Sequence, residues 1–143
     1  MKATVERVNK EVWKSLSEGS HENSFGTNRP KEIDRVDFAL VSYVNDKPTG
    51  YVQCLEMDSH TLYWQTGGAF IDIQKTMEVV PCYMAMVEWS LKNYQRITTR
   101  VDSENIGMLH LAMKMGFRVR GTWHFDNHVY VELLNEREEH AGN

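Results

Sequence analysis

Three runs rich in β-branched and aromatic residues follow one another with almost nothing between them: DFALVSYV (37–44), GYVQCLEM (50–57) and HTLYWQT (60–66). Such residues suit a pleated surface that is buried on at least one side. The first two runs are joined by NDKPT and the last two by the Asp58-Ser59 connection. Links this short can only reverse the chain, so the segment is predicted to be a three-stranded antiparallel meander turning at Asn45 to Thr49. The Gly67-Gly68 pair that follows predicts that the third strand ends there, or bulges and splays from its neighbour.

The meander fixes how the flanking segments are read. Val5, Val8, Val12 and Leu16 recur at helical spacing, while the alternation in ATVERV equally fits a short strand followed by a helix capped at Asn9; both readings stand. Residues 17–32, SEGSHENSFGTNRPKE, read as a polar connection. A long helix is predicted over about Thr76 to Gln95, with Val80, Met84, Val87 and Leu91 as its inward stripe. Pro81 is tolerable only in a first turn, which moves the start toward Val80. RITTRV (96–101) reads as a strand, and residues 105–115 as a helix carrying Met108, Leu111, Ala112 and Met115 on one stripe. Asn105 is its N-cap and Gly116 its C′ residue. FRVRGTW (117–123) and HVYVEL (128–133) read as strands meeting across FDN, and NEREEHAGN as a charged, solvated tail.

The resulting order is (β)α-βββ-α-β-α-ββ. A strand–helix–strand step through the middle helix implies one parallel pair in an otherwise antiparallel sheet. The predicted fold class is therefore α/β in the α+β sense: a mixed, mainly antiparallel sheet flanked by helices, with residues 1–143 as a single domain.

Composition narrows the setting. With 143 residues, 41% hydrophobic and 25% charged, the chain has the apolar content of one globular domain. No apolar run approaches the ~18 residues of a membrane span, and MKATVERVNK lacks the apolar core of a secretory signal, so a cytoplasmic protein with no membrane partner is expected. Cys54 and Cys82 form no CxxC pair and are expected to be reduced core thiols. A formal net charge of -4 with sixteen scattered Lys and Arg argues against nucleic-acid binding.

Asn105, Leu111, Lys114 and Gly116-Phe117, placed after a strand and followed by RVRGTW with Gly121, resemble the closing half of the GNAT-family N-acetyltransferase domain. There the helix and strand read N-x-x-A-x-x-L-Y-x-K-x-G-F-x-x-x-G. The resemblance implies acetyl-CoA as co-substrate, bound in a V-shaped opening where the fourth and fifth strands splay. The pyrophosphate would rest on main-chain amides at the start of the next helix, where unpaired N–H groups and the helix dipole favour an anion. Mapped onto this chain, the splaying strand is HTLYWQTGGAF and the phosphate loop is IDIQKT. Ala69, Phe70, Ile71, Gln74, Lys75, Thr76, Met77 and Asn105 are then the expected cofactor-binding residues, with an N–H near Ala69 or Phe70 polarising the thioester carbonyl.

Two departures from the family pattern bear on the chemistry. The family's loop is usually Q/R-x-x-G-x-G/A, whereas IDIQKTMEV contains no glycine. The family's frequent general acid, a Tyr directly after the helix Leu, is replaced by Ala112, which helical spacing puts on the same side as Asn105.

Glu56 and Asn105 are the expected catalytic residues. An ammonium acceptor with a free pKa of about 10.4 must lose a proton before it can attack, and Glu56 is the candidate base. His60 is an alternative. Asn105 is read both as a ligand of the pantetheine arm and as a plain N-cap. His124, Asp126 and His128 match no common zinc spacing and are read as a polar hairpin, so no metal is assigned. Tyr51, Tyr63 and Trp64 fit either a substrate groove or the core. The expected function is transfer of an acetyl group from acetyl-CoA to a primary amine, on a small molecule or a protein, by direct attack in a ternary complex. The alternative is a catalytically degenerate GNAT-fold binding or interaction module. A homodimer is compatible with either.

Overall fold

The computed structural model describes residues 3–17, 35–69 and 79–137. Along the chain these form β1 (Thr4–Asn9), α1 (Lys10–Ser17), β2 (Phe38–Val44), β3 (Lys47–Glu56), β4 (Thr61–Ala69), α2 (Val79–Asn93), β5 (Arg96–Asp102), α3 (Ile106–Lys114), β6 (Arg118–Phe125) and β7 (His128–Glu136). The strands make one seven-stranded sheet in the order β1-β2-β3-β4-β5-β7-β6. Every neighbouring pair is antiparallel except β4 with β5. This is the predicted mixed, mainly antiparallel sheet, and its one parallel pair is the one implied by the strand–helix–strand step.

The N-terminal ambiguity resolves in favour of the strand. Thr4–Asn9 pairs with β2, and the Asn9 Oδ1 atom accepts from the Val12 N–H at 2.9 Å, capping α1. Val5 and Val8 therefore point to opposite faces instead of sharing a helical stripe. The polar connection expected over 17–32 lies outside the described residues from 18 onward.

Two tight hairpins set the registers. Asn45 and Asp46 have φ of 52° and 64°, and Asp126 and Asn127 of 49° and 65°. Left-handed backbone at two successive positions matches the twist of the flanking strands, and Asn and Asp tolerate it best among non-glycine residues. The first reversal is thus the Asn45-Asp46 pair at the head of the predicted Asn45-to-Thr49 turn, and β3 begins at Lys47, earlier than its sequence pattern suggests. A register shift between Ser42, opposite Gly50, and Tyr43, opposite Pro48, absorbs Thr49 as the extra residue.

Alternation along the strands divides the core in two. One face buries Phe38, Leu40, Cys54, Leu62, Trp64, Ile97 and Leu133 beneath α2 and α3. The other buries Val8, Ala39, Val41 and Tyr51 with Trp13 of α1, whose Nε1 donates to Gln53 Oε1 at 2.8 Å. Both cysteines are buried free thiols, as expected. No described helix is long and apolar enough to cross a membrane.

The stripe predicted for the long helix is displaced. Cys82, Tyr83, Met86, Val87, Ser90 and Tyr94 are buried, whereas Val80 is exposed and Met84 and Leu91 only half-buried. The polar Ser90 disguised this face: its hydroxyl is satisfied by the Met86 carbonyl at 2.8 Å and accepts from Trp64 Nε1 at 3.2 Å. The C-terminal tail also needs correction, because β7 runs through Asn135 and Glu136. Asn135 is buried and donates to the Met115 carbonyl at 3.0 Å, and Glu136 pairs with Arg118 at 2.6 Å.

Candidate active site

The sheet comes apart along one line. β4 and β5 share four parallel rungs, Thr61↔Arg96 to Trp64↔Thr99. Beyond Trp64, β4 carries an extra residue, Gln65, between the partners of Cys54 and Gln53, and such a bulge bends the strand that holds it. The Thr99 hydroxyl then takes the Trp64 carbonyl at 2.8 Å. From there β4 follows β3 to Gly50↔Ala69, while β5 follows β7 to Asp102↔Tyr130. The splay expected near Gly67-Gly68 begins two residues earlier, at the bulge.

The result is a V-shaped opening of about 210 Å³. Trp64 and Thr99 form its apex, Gln65 and Gly67 one wall, and Arg100 to Asp102 the other; Tyr83 of α2 and Asn105 and Met108 of α3 close one side. In the divergent part each wall belongs, among the described strands, to a ladder on its outer edge only, so its inner edge turns main-chain groups toward the opening.

Glycine is needed on the β4 wall. A Cβ at Gly67 would lie 3.2 Å from the Tyr51 carbonyl oxygen and 3.3 Å from Tyr83 Oη, and one at Gly68 only 2.7 Å from the Tyr51 ring. The glycines thus let tyrosines from both faces lie against this strand. Burial, with Tyr51 and Cys82 as lesser contributors, pushes the Tyr83 phenol far above the usual range, so it stays a neutral donor.

Asn105 caps α3, its Oδ1 accepting from the Met108 N–H at 3.1 Å, and it also lines the opening. At the other end of α3, Gly116 has φ +98°, Phe117 N–H bonds the Ala112 carbonyl at 3.0 Å and Gly116 N–H that of Met113 at 3.1 Å. These bonds make a Schellman stop. Asp102, on the rim, accepts from the Glu104 N–H at 2.9 Å and sits 3.1 Å from His128 Nδ1.

The structure does not bring Glu56 to Asn105. Glu56 stands opposite Leu62, at the closed end of the V, and its Oε1 accepts from Tyr94 Oη at 2.6 Å. His60 lies at the same end, exposed, with its carbonyl taken by the N–H groups of Gln95 and Arg96. Ala112 does not face the opening either. It is 1% exposed in the core, because the sheet claims the stripe it shares with Met115. Ala69 ends β4, while Phe70, Ile71, Gln74, Lys75, Thr76 and Met77 lie outside the described residues.

Of the three aromatics, Trp64 is buried at the apex, Tyr51 packs on Trp13 with centroids 5.0 Å apart, and Tyr63 lines a hollow on the opposite face with Arg120 and Glu132. His128 does not group with His124 and Asp126. It turns to Asp102, and these two with Glu104 place ligand-type atoms within 4.8 Å of one another, in contacts that already serve the turn into α3.

No protein-family model matches the chain, and no curated protein sequence matches it. Solved structures do. The structure of AAC(6')-Ib in complex with paromomycin and acetyl-CoA superimposes with a TM-score of 0.70 at 16% identity, covering 96% of this chain and 94% of that one. A GNAT family acetyltransferase from Elizabethkingia anophelis with acetyl-CoA bound gives 0.68 at 12% identity, covering 95% and 99%. The chain has the GNAT acetyltransferase fold. A spermidine N-acetyltransferase SpeG chimera from Vibrio cholerae and hSSAT shares this GNAT fold at 0.70 and 12% identity, covering 95% of this chain and 96% of that one.

Tyr83, Thr99 and Asp102 belong to the opening although the sequence pattern did not single them out. For Tyr83 and Thr99 there was no signal, since a tyrosine in an apolar helix and a threonine in a strand are ordinary. Asp102 had a weak one, as an acidic residue closing a strand just before an N-cap asparagine.

Proposed function

We propose that the protein is an N-acetyltransferase that binds acetyl-CoA in the V between β4 and β5 and passes the acetyl group to a primary amine by direct attack in a ternary complex. The splay carries this reading. Its two inner edges present main-chain amide groups to a slender ligand, and the pantetheine arm of acetyl-CoA is a slender chain that itself carries amides. Asn105, at the mouth, offers its side-chain amide to the same arm. The segment from Ala69 to Met77 would receive the pyrophosphate, with Lys75 and Thr76 supplying charge and a hydroxyl in place of the glycines. Relatives of this fold hold an aminoglycoside or are named for spermidine, which supports an amine acceptor.

For proton removal the reading turns to Asp102. Among the described residues it is the carboxylate lining the opening, and its contact with His128 gives the amine proton a path toward solvent. Glu56 keeps its place as the partner of Tyr94. Holding both reactants together supplies much of the rate, roughly 7–11 kcal/mol in well-aligned cases.

Calorimetry with acetyl-CoA, followed by thiol release with polyamines, aminoglycosides and lysine peptides, tests the proposal. Binding and amine-dependent thiol release are expected. No binding at millimolar acetyl-CoA would leave the binding or interaction module as the reading.

A further inference from the structure

Tyr83 stands apart from the other buried side chains that carry a polar tip. Trp13 Nε1 is bound by Gln53, Trp64 Nε1 by Ser90 and Tyr94 Oη by Glu56. Buried hydroxyl and indole groups normally find such partners, because an unpaired one is costly. Tyr83 is 7% exposed and its hydroxyl bonds no described residue; since no buried polar side-chain atom among the described residues is left without a partner, that hydroxyl is reached from the opening. It lines the V, and its Oη lies over Gly67, within 3.3 Å of where a Cβ would stand. The missing Cβ thus lets the donor lie against the β4 wall just past the bulge, at the edge of the opening.

We propose that Tyr83 is a catalytic residue: its hydroxyl donates a hydrogen bond to the thioester carbonyl oxygen of the acyl-CoA substrate and holds the charge that develops there. This rests on the acetyltransferase reading above. The amine lone pair attacks the carbonyl carbon and the C=O π pair moves onto oxygen, where the Tyr83 O–H meets it without giving up its proton. The amine proton leaves by way of Asp102, the C=O re-forms, and CoA departs as the thiolate. Donation without transfer suits a phenol held neutral by burial, and a preplaced donor meets developing charge without reorganising. The same donor answers for the tyrosine missing at Ala112: it comes from the other helix and acts on the oxygen instead of the sulfur.

Tyr83→Phe, compared with the unmodified protein, is the test. Turnover should fall by about 10²–10³-fold, the usual loss for one such donor. Affinity for CoA, which lacks the acyl carbonyl, and the melting temperature should stay unchanged. With acetyl-CoA isotope-labelled at the thioester carbonyl, the bound C=O stretch should lie below its value in water in the unmodified protein and move back toward it in the variant. A variant with unchanged turnover and stretch overturns this assignment and leaves the acetyltransferase reading intact. A lower rate accompanied by weaker CoA binding or a lower melting temperature makes Tyr83 a packing residue. If the unmodified protein binds no acetyl-CoA, both proposals fall, and if it binds without turnover the stretch alone decides.

Discussion

The Thr99 hydroxyl donates to the main-chain carbonyl of Trp64, 2.8 Å away across the last rung that β4 and β5 share. A side chain takes up a carbonyl at the point where the ladder stops, so the strands part without leaving that group unpaired. Thr99→Val keeps the shape and removes the donor. We expect a loss of about 1–3 kcal/mol, the penalty for an unsatisfied buried acceptor, measured by urea unfolding. Acetyl-CoA affinity should fall with it, and a variant as stable as the parent would show that water serves the Trp64 carbonyl equally well.

Two glycines separate crowding from freedom. Gly67→Ala presses a methyl group against the Tyr51 carbonyl and the Tyr83 hydroxyl, and should cost about 1–3 kcal/mol and weaken acetyl-CoA binding. At Gly107, inside α3, an added methyl group would meet nothing within 4 Å, so Gly107→Ala should stabilise by about 0.5–1 kcal/mol through helix propensity. Thermal melts of the two variants should move in opposite directions.

The two carboxylates make opposite forecasts. Asp102→Asn retains an oxygen for the Glu104 N–H, so the turn should survive while amine-dependent turnover drops by about 10²–10⁴-fold. Glu56→Gln should leave turnover alone and cost about 0.5–1.5 kcal/mol of stability through its weakened bond from Tyr94. Steady-state rates beside unfolding curves decide, and the reverse pattern would return the base role to Glu56.

Restoring the family's tyrosine at Ala112 should fail. The site is 1% exposed and packed within the main core, so Ala112→Tyr is expected to lose roughly 1–3 kcal/mol by overpacking, with no gain in rate. Faster thiol release by a stable variant would sink this expectation.

Alkaline pH should unfold the protein through its buried phenols. Burial pushes Tyr51 up to about 12, and Tyr83 and Tyr94 higher still, Tyr94 with help from Glu56. An unfolded tyrosine releases its proton near pH 10, so above that pH the unfolded chain binds fewer protons than the folded one and stability falls. The contribution is complete below about pH 10 and is lost as pH climbs toward 12, with Tyr51 alone accounting for about 3 kcal/mol. Urea midpoints at rising pH, beside the tyrosinate absorbance, should decline together.

The sheet was readable from the sequence because its signals are local. Period-two alternation, Asn-Asp and Asp-Asn turns, the Asn105 cap and the Gly116 stop each act within a few residues. What stayed hidden depends on residues far apart in the chain. The buried face of α2 includes Ser90, a polar residue that reads as solvent-facing until Trp64 is seen beside it. Ala112 follows the family motif by position, yet the sheet beneath it decides where it points. Glu56 is acidic and on the expected strand, and only strand register shows that it stands at the closed end of the V. Only the bulge at Gln65 and the bond from Thr99 tell where that V begins.

The four rungs between β4 and β5 make the sheet two plates joined by a short seam. β1 to β4 form one plate and β5, β7 and β6 the other, each braced by its own antiparallel ladders. Among the described strands no rung joins the plates beyond that seam, so the width of the V is held by the helix Val79–Asn93 and by the core beneath it, which draws side chains from both plates. A strand-like ligand that pairs with both edges acts as a splint across the two plates, and what it stiffens is the whole sheet.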